Sequence, residues 1–471
     1  MIRSVRFCGN VFASSVIWSP LDRPTHARLA RMMGQRGQGR CVAAALMAGI
    51  AVMAAAAAGQ AQSPDHSDNS GGGGDGALTI PVVAGLEAML AERPHARDEA
   101  WRTLSQPRLP LRSLDPDNPG HALVTFAWRG DAQTTSVRLD SVINAPRARQ
   151  PVTDYIADFT LPMTRLEGAD IWTLTLSVPR DVEAVYSFLV EREGRVQRWS
   201  DPANPARMGG QDGESLLRLD RAPRADIHRP LAFDETITAQ RLTVDSAALG
   251  RQVQLDLFRL PDAPDDAPVL ILYDAFLWGE RARASDMLAR LATRGEIPPT
   301  HLVLIDQLDP ASANHAYADQ AAFIADELLP ALQAEAGLTP RRETTLLAGA
   351  SRRGLSASLT ALTRPDTIGG VISLSGSFYW APDGAAPEWA RRQLVPAPDE
   401  APRFHLAAGR LETIVTSTNQ GHVMLETNRA MAQALAEHGY PAELAVYPGG
   451  HDIAGWRSAL ADGLVALLGS E

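Results

Sequence analysis

One serine in this chain stands where nucleophilic chemistry could be done. Ser351 lies in Leu346-Leu347-Ala348-Gly349-Ala350-Ser351-Arg352-Arg353-Gly354-Leu355, a buried-strand pattern broken at Gly349 and followed by an alanine- and leucine-rich helical pattern as far as Arg364-Pro365. A strand, sharp turn and helix would lift a serine hydroxyl above a sheet edge, beside the N–H groups and favourable dipole of the helix start. Such a serine needs a base, an acid to orient the base, and two N–H donors for the oxyanion. His451, in Val446-Tyr447-Pro448-Gly449-Gly450-His451-Asp452, is a histidine in a glycine-flexed loop before the last helical stretch and is the candidate base. Glu412, after Phe404 to Ala407 and Ala408-Gly409-Arg410-Leu411, is the leading candidate acid, ahead of Asp383 and Glu388. Main-chain N–H groups of Arg352 and of Ala275 or Phe276, in Tyr273-Asp274-Ala275-Phe276, are the candidate oxyanion donors. The order nucleophile, acid, histidine suits this reading. The turn departs from the usual pattern in one respect: Arg353 stands where a second glycine is expected, and glycine returns only at Gly354.

The elements that must position these groups are legible in the periodicity. Val253 to Leu257 alternates like an outer strand, and the apolar runs Val269 to Tyr273, Leu302 to Ile305, Thr345 to Ala348, Val371 to Leu374, Phe404 to Ala407 and Leu444 to Tyr447 are separated by helix-length segments. Fully apolar strands alternating with helices predict an α/β domain over 235–471, a mostly parallel sheet covered by helices, with its site at the carboxyl ends of the strands. Ahead of it, Ala122 to Trp128, Ile171 to Leu176 and Val185 to Val190 have period two and are bounded by turns such as Arg129-Gly130-Asp131 and Asp201-Pro202-Ala203-Asn204-Pro205. These predict an all-β, immunoglobulin-like sandwich over 118–225, with Trp128 and Trp172 in its core. A helical lead-in over 82–117 is interrupted at Pro94, and a Gly- and Ser-rich linker over 62–81 precedes it.

The first sixty residues differ from the rest. Arginines up to Arg40 are followed by the alanine-rich apolar stretch Cys41 to Ala58 and by Gly59-Gln60-Ala61, the pattern of a secretory signal cut after Ala61 rather than a transmembrane anchor. Its charged region is expected to start near Met32 or Met33. Both cysteines, Cys8 and Cys41, lie in this segment, so the mature chain would have no thiol, which excludes cysteine catalysis and thiolate metal sites. An exported protein without disulfides and without a lasting membrane anchor is expected in a bacterial periplasm. The formal charge of the 471-residue chain is −11; residues 1–61 carry seven Arg and one Asp, so their loss would leave −17, and nothing indicates a nucleic-acid partner.

Trp278, Phe378, Tyr379, Trp380 and Trp456 fall at the predicted loop ends and are expected to rim a pocket for a flat aromatic acyl group, with Arg353 or Arg352 steering anions. Several segments then resemble the enterochelin esterase family. They are Leu347-Ala348-Gly349-Ala350-Ser351 with Gly354-Leu355-Ser356-Ala357, Leu374-Ser375-Gly376-Ser377-Phe378-Tyr379-Trp380, and above all Gly449-Gly450-His451-Asp452-Ile453-Ala454-Gly455-Trp456-Arg457. Leu304-Ile305-Asp306 and Glu327-Leu328-Leu329-Pro330 also resemble it, as do Val124 to Arg129 and Asp201 to Pro205 in the front domain, so the likeness spans about residues 118–470.

The resemblance implies an α/β-hydrolase behind a β-sandwich, acting on the trilactone of a catecholate siderophore or its ferric complex. Ser351 would be the nucleophile, His451 the base and Glu412 the acid. No cofactor is implied, since iron would belong to the substrate. Departures fall at Arg353 and across Ala313-Asn314-His315-Ala316-Tyr317-Ala318-Asp319-Gln320, where the family carries an Arg, a Glu-Leu pair and an Asn. Two other readings fit the pattern: a feruloyl or acetyl esterase acting on polysaccharide-linked esters, and a non-catalytic siderophore- or glycan-binding protein in which Arg353 distorts the turn.

Overall fold

The computed structural model describes residues 81–106, 109–148, 159–209, 213–224, 227, 237–306, 316–415 and 421–469. The expected leader 1–61, the linker as far as Ile80 and the departures at Ala313, Asn314 and His315 lie outside the described residues.

Every predicted apolar run is a strand of one eight-stranded sheet. Its strands are β1 (Ala239–Ser246), β2 (Arg251–Phe258), β3 (Val269–Tyr273), β4 (His301–Ile305), β5 (Thr345–Ala350), β6 (Gly370–Leu374), β7 (Arg403–Gly409) and β8 (Ala442–Tyr447). Their spatial order is β1-β2-β4-β3-β5-β6-β7-β8. β2 runs antiparallel to β1 and β4, and from β4 to β8 all pairings are parallel. All residues of β3, β4, β5 and β6 are buried, and alternation sends them to two different cores. Val269, Ile271 and Tyr273 join the cluster on one face, Leu270 and Leu272 the cluster on the other. Burial of each such side chain contributes about 1.5–3 kcal/mol, so register is strongly specified: a one-residue slip would exchange the two faces. Helices α1 (Arg352–Thr363), α2 (Met424–Glu437) and α3 (Ile453–Leu468) cover the sheet.

The front domain is a β-sandwich of a four-stranded and a six-stranded sheet. His121–Arg129 and Ile171–Pro179 pair in one sheet, Thr134–Ser141 and Glu183–Arg192 in the other. Phe126, Trp128, Tyr186 and Phe188 fill the space between them, with Trp172 packed against this core. The lead-in is helical at Pro81–Glu92 and Arg97–Ser105, broken around Pro94 as expected. Leu86, Leu90 and Leu104 pack on Ala127 and Ile171, so this helical pair covers the sandwich. One boundary differs from expectation. Leu111–Leu114, inside the expected lead-in, is an edge strand of the sandwich paired with Ala122 to Thr125. Its largely exposed side chains have no apolar alternation to betray it.

Candidate active site

In-register parallel pairing brings the catalytic candidates to one edge. Ala350 pairs with Leu374, Leu374 with Ala407, and Gly409 with Tyr447. The residues just beyond these pairs, Ser351, Ser375, Glu412 and His451, therefore leave the sheet side by side.

Ser351 sits in the turn that its surroundings predict. Its φ of 57° and ψ of −123° are a backbone conformation that L-residues seldom adopt. The turn is held on the next strand: Ser351 N–H donates to the Leu374 carbonyl at 2.8 Å, and Ser377 N–H donates to the Ser351 carbonyl at 3.1 Å. Asp274 after β3 (φ 76°) and Ser375 after β6 (φ 48°) share the left-handed region, so three neighbouring strands end in strained residues along this edge. Strain that persists in a packed structure clusters where function requires it.

Arg353 in place of glycine is accommodated rather than disruptive. A Cβ on Gly349 would lie 2.6 Å from the Arg353 carbonyl carbon and 2.7 Å from its Cβ, so Gly349 alone provides the clearance. Gly354 provides the second close approach, against the Ser373 hydroxyl and Gly376. The Arg353 side chain is 8% exposed. Burial pushes its pKa down, against the opposing pull of Tyr273, Asp274 and Tyr317. A buried guanidinium cannot steer ligands from solvent, so that expectation passes to Arg352, which is exposed.

The acid–base pair is formed. His451 Nδ1 and Glu412 Oε1 are 2.5 Å apart, and Glu412 is 6% exposed. Glu412 Oε2 accepts from Gly409 N–H at 2.6 Å and from the Ser375 hydroxyl at 2.7 Å. With Nδ1 held by the carboxylate, Nε2 is the ring nitrogen left to take a serine proton. The lesser acid candidates lie elsewhere: Glu388 is bound to Arg391 at 2.7 Å, and Asp383 is exposed in a loop.

Sequence reasoning placed Trp456 on the substrate rim and missed the other supports around this pair. Trp456 packs edge-on to the imidazole, centroids 4.7 Å apart at 81°, and donates its Nε1–H to the Ser375 hydroxyl at 3.0 Å. Tyr447 donates to the Gly450 carbonyl and lies 2.9 Å from Ser375 Oγ; burial raises its phenol well above the usual value. Asn428 on α2 bonds both N–H and C=O of Gly376, fixing the turn after β6. The sequence signals for these were the Ser375-Gly376-Ser377 triplet at a strand end and the positions of Tyr447 and Trp456 on either side of His451.

For the oxyanion, Arg352 opens α1 and its N–H has no carbonyl ahead of it in the helix. Ala275 and Phe276 follow β3 and lead into a π-helical turn, Phe276–Arg281, a local feature frequent at functional sites. Asp274 organises this loop, its carboxylate accepting from Leu277 N–H at 3.1 Å.

The expected aromatic rim is mostly core. Trp278 and Phe378 are 0% and 1% exposed and present no surface to a ligand. Tyr379 and Trp380 are also buried, the latter against Tyr317 and Trp389. These rings close the loops from beneath, because apolar area this large is stabilised by burial even at a sheet end. Among the described residues no group of acidic, histidine or cysteine side chains could hold a metal ion.

A strained serine at a strand-to-helix turn, a buried carboxylate–imidazole pair and free amides on one edge of an α/β sheet define a serine esterase of the α/β-hydrolase class. Residues 246–467 match the putative esterase family model, and residues 123–227 match the model of the enterochelin esterase N-terminal domain. Over both domains, in order, the chain is similar to the enterochelin esterases. It is 27% identical to the iron(III) salmochelin esterase of Escherichia coli O6:H1, over 78% of this chain and 93% of that protein. It is 26% identical to the iron(III) enterobactin esterase of Dickeya dadantii, over 82% and 96%. The crystal structure of ferric enterobactin esterase from Salmonella typhimurium shares the fold, with a TM-score of 0.63 at 24% identity over 78% of this chain and 98% of that one.

Proposed function

We propose that this protein hydrolyses the ester bonds of a catecholate siderophore or of its ferric complex, aiding iron release. The observation that carries the reading is the 2.5 Å His451–Glu412 contact standing on the same sheet edge as the strained Ser351. His451 Nε2 takes the Ser351 hydroxyl proton as Oγ attacks the ester carbonyl carbon. The developing oxyanion is held by the Arg352 amide and an amide of the Ala275-Phe276 loop. Collapse breaks the C–O bond, and the departing alkoxide receives the proton from the imidazolium. Water then attacks the acyl-serine with His451 again as base, releasing the acid and restoring Ser351. Glu412 keeps the imidazole in the required tautomer and stabilises its charged form. Arg352, exposed beside the nucleophile, supplies positive charge for an anionic complex in an otherwise acidic protein.

Product analysis by mass spectrometry tests the reading, with ferric and iron-free enterobactin and methyl ferulate as substrates and Ser351→Ala as control. The expected products are linear trimer, dimer or monomer, made only with the serine intact; cleavage of ferulate alone would refute the siderophore assignment.

The same proposal places the protein in the periplasm, on the strength of the Arg40 to Ala61 segment. N-terminal sequencing of the mature protein should then begin at Gln62. Among the described residues no helix is long and apolar enough to cross a membrane.

A further inference from the structure

The loop that carries His451 is wedged between the hydrolase sheet and the sandwich. On the hydrolase side, a Cβ on Gly409 would lie 2.6 Å from the Gly449 carbonyl oxygen and 2.9 Å from the Gly450 Cα. On the sandwich side, a Cβ on Gly450 would lie 2.9 Å from the Cβ of Val142, which begins a 3-10 turn after the strand Thr134–Ser141. Gly450 has no left-handed φ, so its backbone does not require glycine. What requires it is the sandwich. The residue after His451 is bound to the same domain: Asp452 Oδ2 accepts from the Val185 N–H at 3.0 Å, while Oδ1 caps α3 by accepting from Ala454 and Gly455 N–H at 2.9 and 3.1 Å. One turn further on, Ser458 donates to the buried Glu183 carboxylate, whose other oxygen is held by Arg218 at 3.1 Å. The acid's loop is tied to the same stretch, since Arg410 makes a bidentate pair with Asp181 at 2.7 and 3.0 Å. Asp181, Glu183 and Val185 thus meet both loops of the acid–base pair. The Ser351 turn, by contrast, is bonded to the hydrolase sheet, through Leu374 and Ser377.

We propose that the sandwich is a positioning element for catalysis: Val142 packed on Gly450, with the Val185 amide bonded to Asp452, sets where the His451 imidazole stands relative to Glu412. This rests on the reading of Ser351, Glu412 and His451 as esterase machinery. Val142 and Val185 are positioning residues, acting on His451 through Gly450 and Asp452.

A suppressor pair in the full chain tests it. Gly450→Ala adds a methyl against Val142, and Val142→Gly removes the obstructing Cβ together with its branch. Hydrolysis of p-nitrophenyl acetate, a small neutral ester, is followed beside the far-downfield proton resonance of His451 Nδ1–H bonded to Glu412, with thermal unfolding as the check on folding. Gly450→Ala should lower kcat about 10²-fold, the scale of a misplacement of about 1 Å, with KM changed less than about threefold and the downfield resonance shifted or lost. Val142→Gly alone, which loosens the native contact, should lower kcat less than Gly450→Ala does. The double variant should regain the resonance and most of kcat. A double variant as impaired as Gly450→Ala would overturn the proposal. So would a Gly450→Ala protein that keeps both resonance and kcat. If Gly450→Ala does not fold, Val142→Leu presses on the same contact from the sandwich side: a displaced resonance supports the proposal, and an unmoved one overturns it. The resonance needs no turnover, so failure of the native protein to cleave the ester would count against the esterase reading alone.

Discussion

The two halves of this active site are built in different ways. The nucleophile's half is compact in sequence: Gly349, Ser351, Arg353 and Gly354 make the turn, β5 and α1 aim it, and the carbonyl of Leu374 on the next strand anchors it. The acid–base half joins two loops whose strand ends, Gly409 and Tyr447, are 38 residues apart, a separation that only the β7–β8 pairing closes.

 Glu412 and His451 are themselves 39 residues apart. This half also leans on a second domain, through Val142, Val185 and Asp181. A turn can be specified by its own residues, because its constraints are steric and local. A carboxylate–imidazole pair drawn from two loops has to be specified by whatever packs around both.

The largest effect expected from this contrast falls on the acid. Glu412→Gln keeps the shape but removes the charge that orients His451, and kcat should fall about 10³ to 10⁴-fold, as when a triad carboxylate is neutralised. Steady-state hydrolysis measures it, and a loss under tenfold would mean that another group orients the imidazole.

Gly349→Ala probes the other half. The added Cβ would meet the Arg353 backbone at 2.6 Å, and overpacking of this kind costs about 1–3 kcal/mol, readable in urea unfolding. Because that obstruction is internal to the turn, Val142→Gly should not relieve it, whereas it should relieve Gly450→Ala. Rescue of both by the same sandwich substitution would erase the distinction between the halves.

The smallest effect is on pH dependence. Burial pushes the Asp452 carboxyl up to about 7, against the amides that donate to it. A carboxyl raised on folding is favoured in its neutral form, so its contribution to stability is complete below the ordinary Asp range, near pH 4. That contribution is lost as pH rises through about 7. Asp452→Asn should therefore flatten the fall in unfolding free energy between about pH 4 and 8, measured by denaturant titration at each pH. An unchanged slope would show that the three amides hold Asp452 ionised throughout.

Much of the fold was legible in the sequence. Strands buried on both faces must be apolar at every position, so β3 to β6 stood out as continuous runs. The edge strand Leu111–Leu114 did not, because exposed side chains carry no such constraint. Ser351, Glu412 and His451 could be named because each follows an apolar run, and a parallel sheet sends all such positions to one edge. The aromatic rim failed for the opposite reason. Trp278 and Phe378 are at the right places along the chain, but whether a ring at a strand end faces solvent or core depends on helices packed over it, which no local pattern records.

What the sequence determined by itself is therefore the sheet, the sandwich and the turn at Ser351, since hydrophobic periodicity and glycine clearance are written residue by residue. Only the tertiary structure decided that Arg353 is buried, that Ser375, Tyr447 and Trp456 surround the acid–base pair, and that Gly450 faces Val142. Those relations join residues far apart in the chain, and their energies exist only once the sheet, its helices and, for Gly450, the sandwich are packed together.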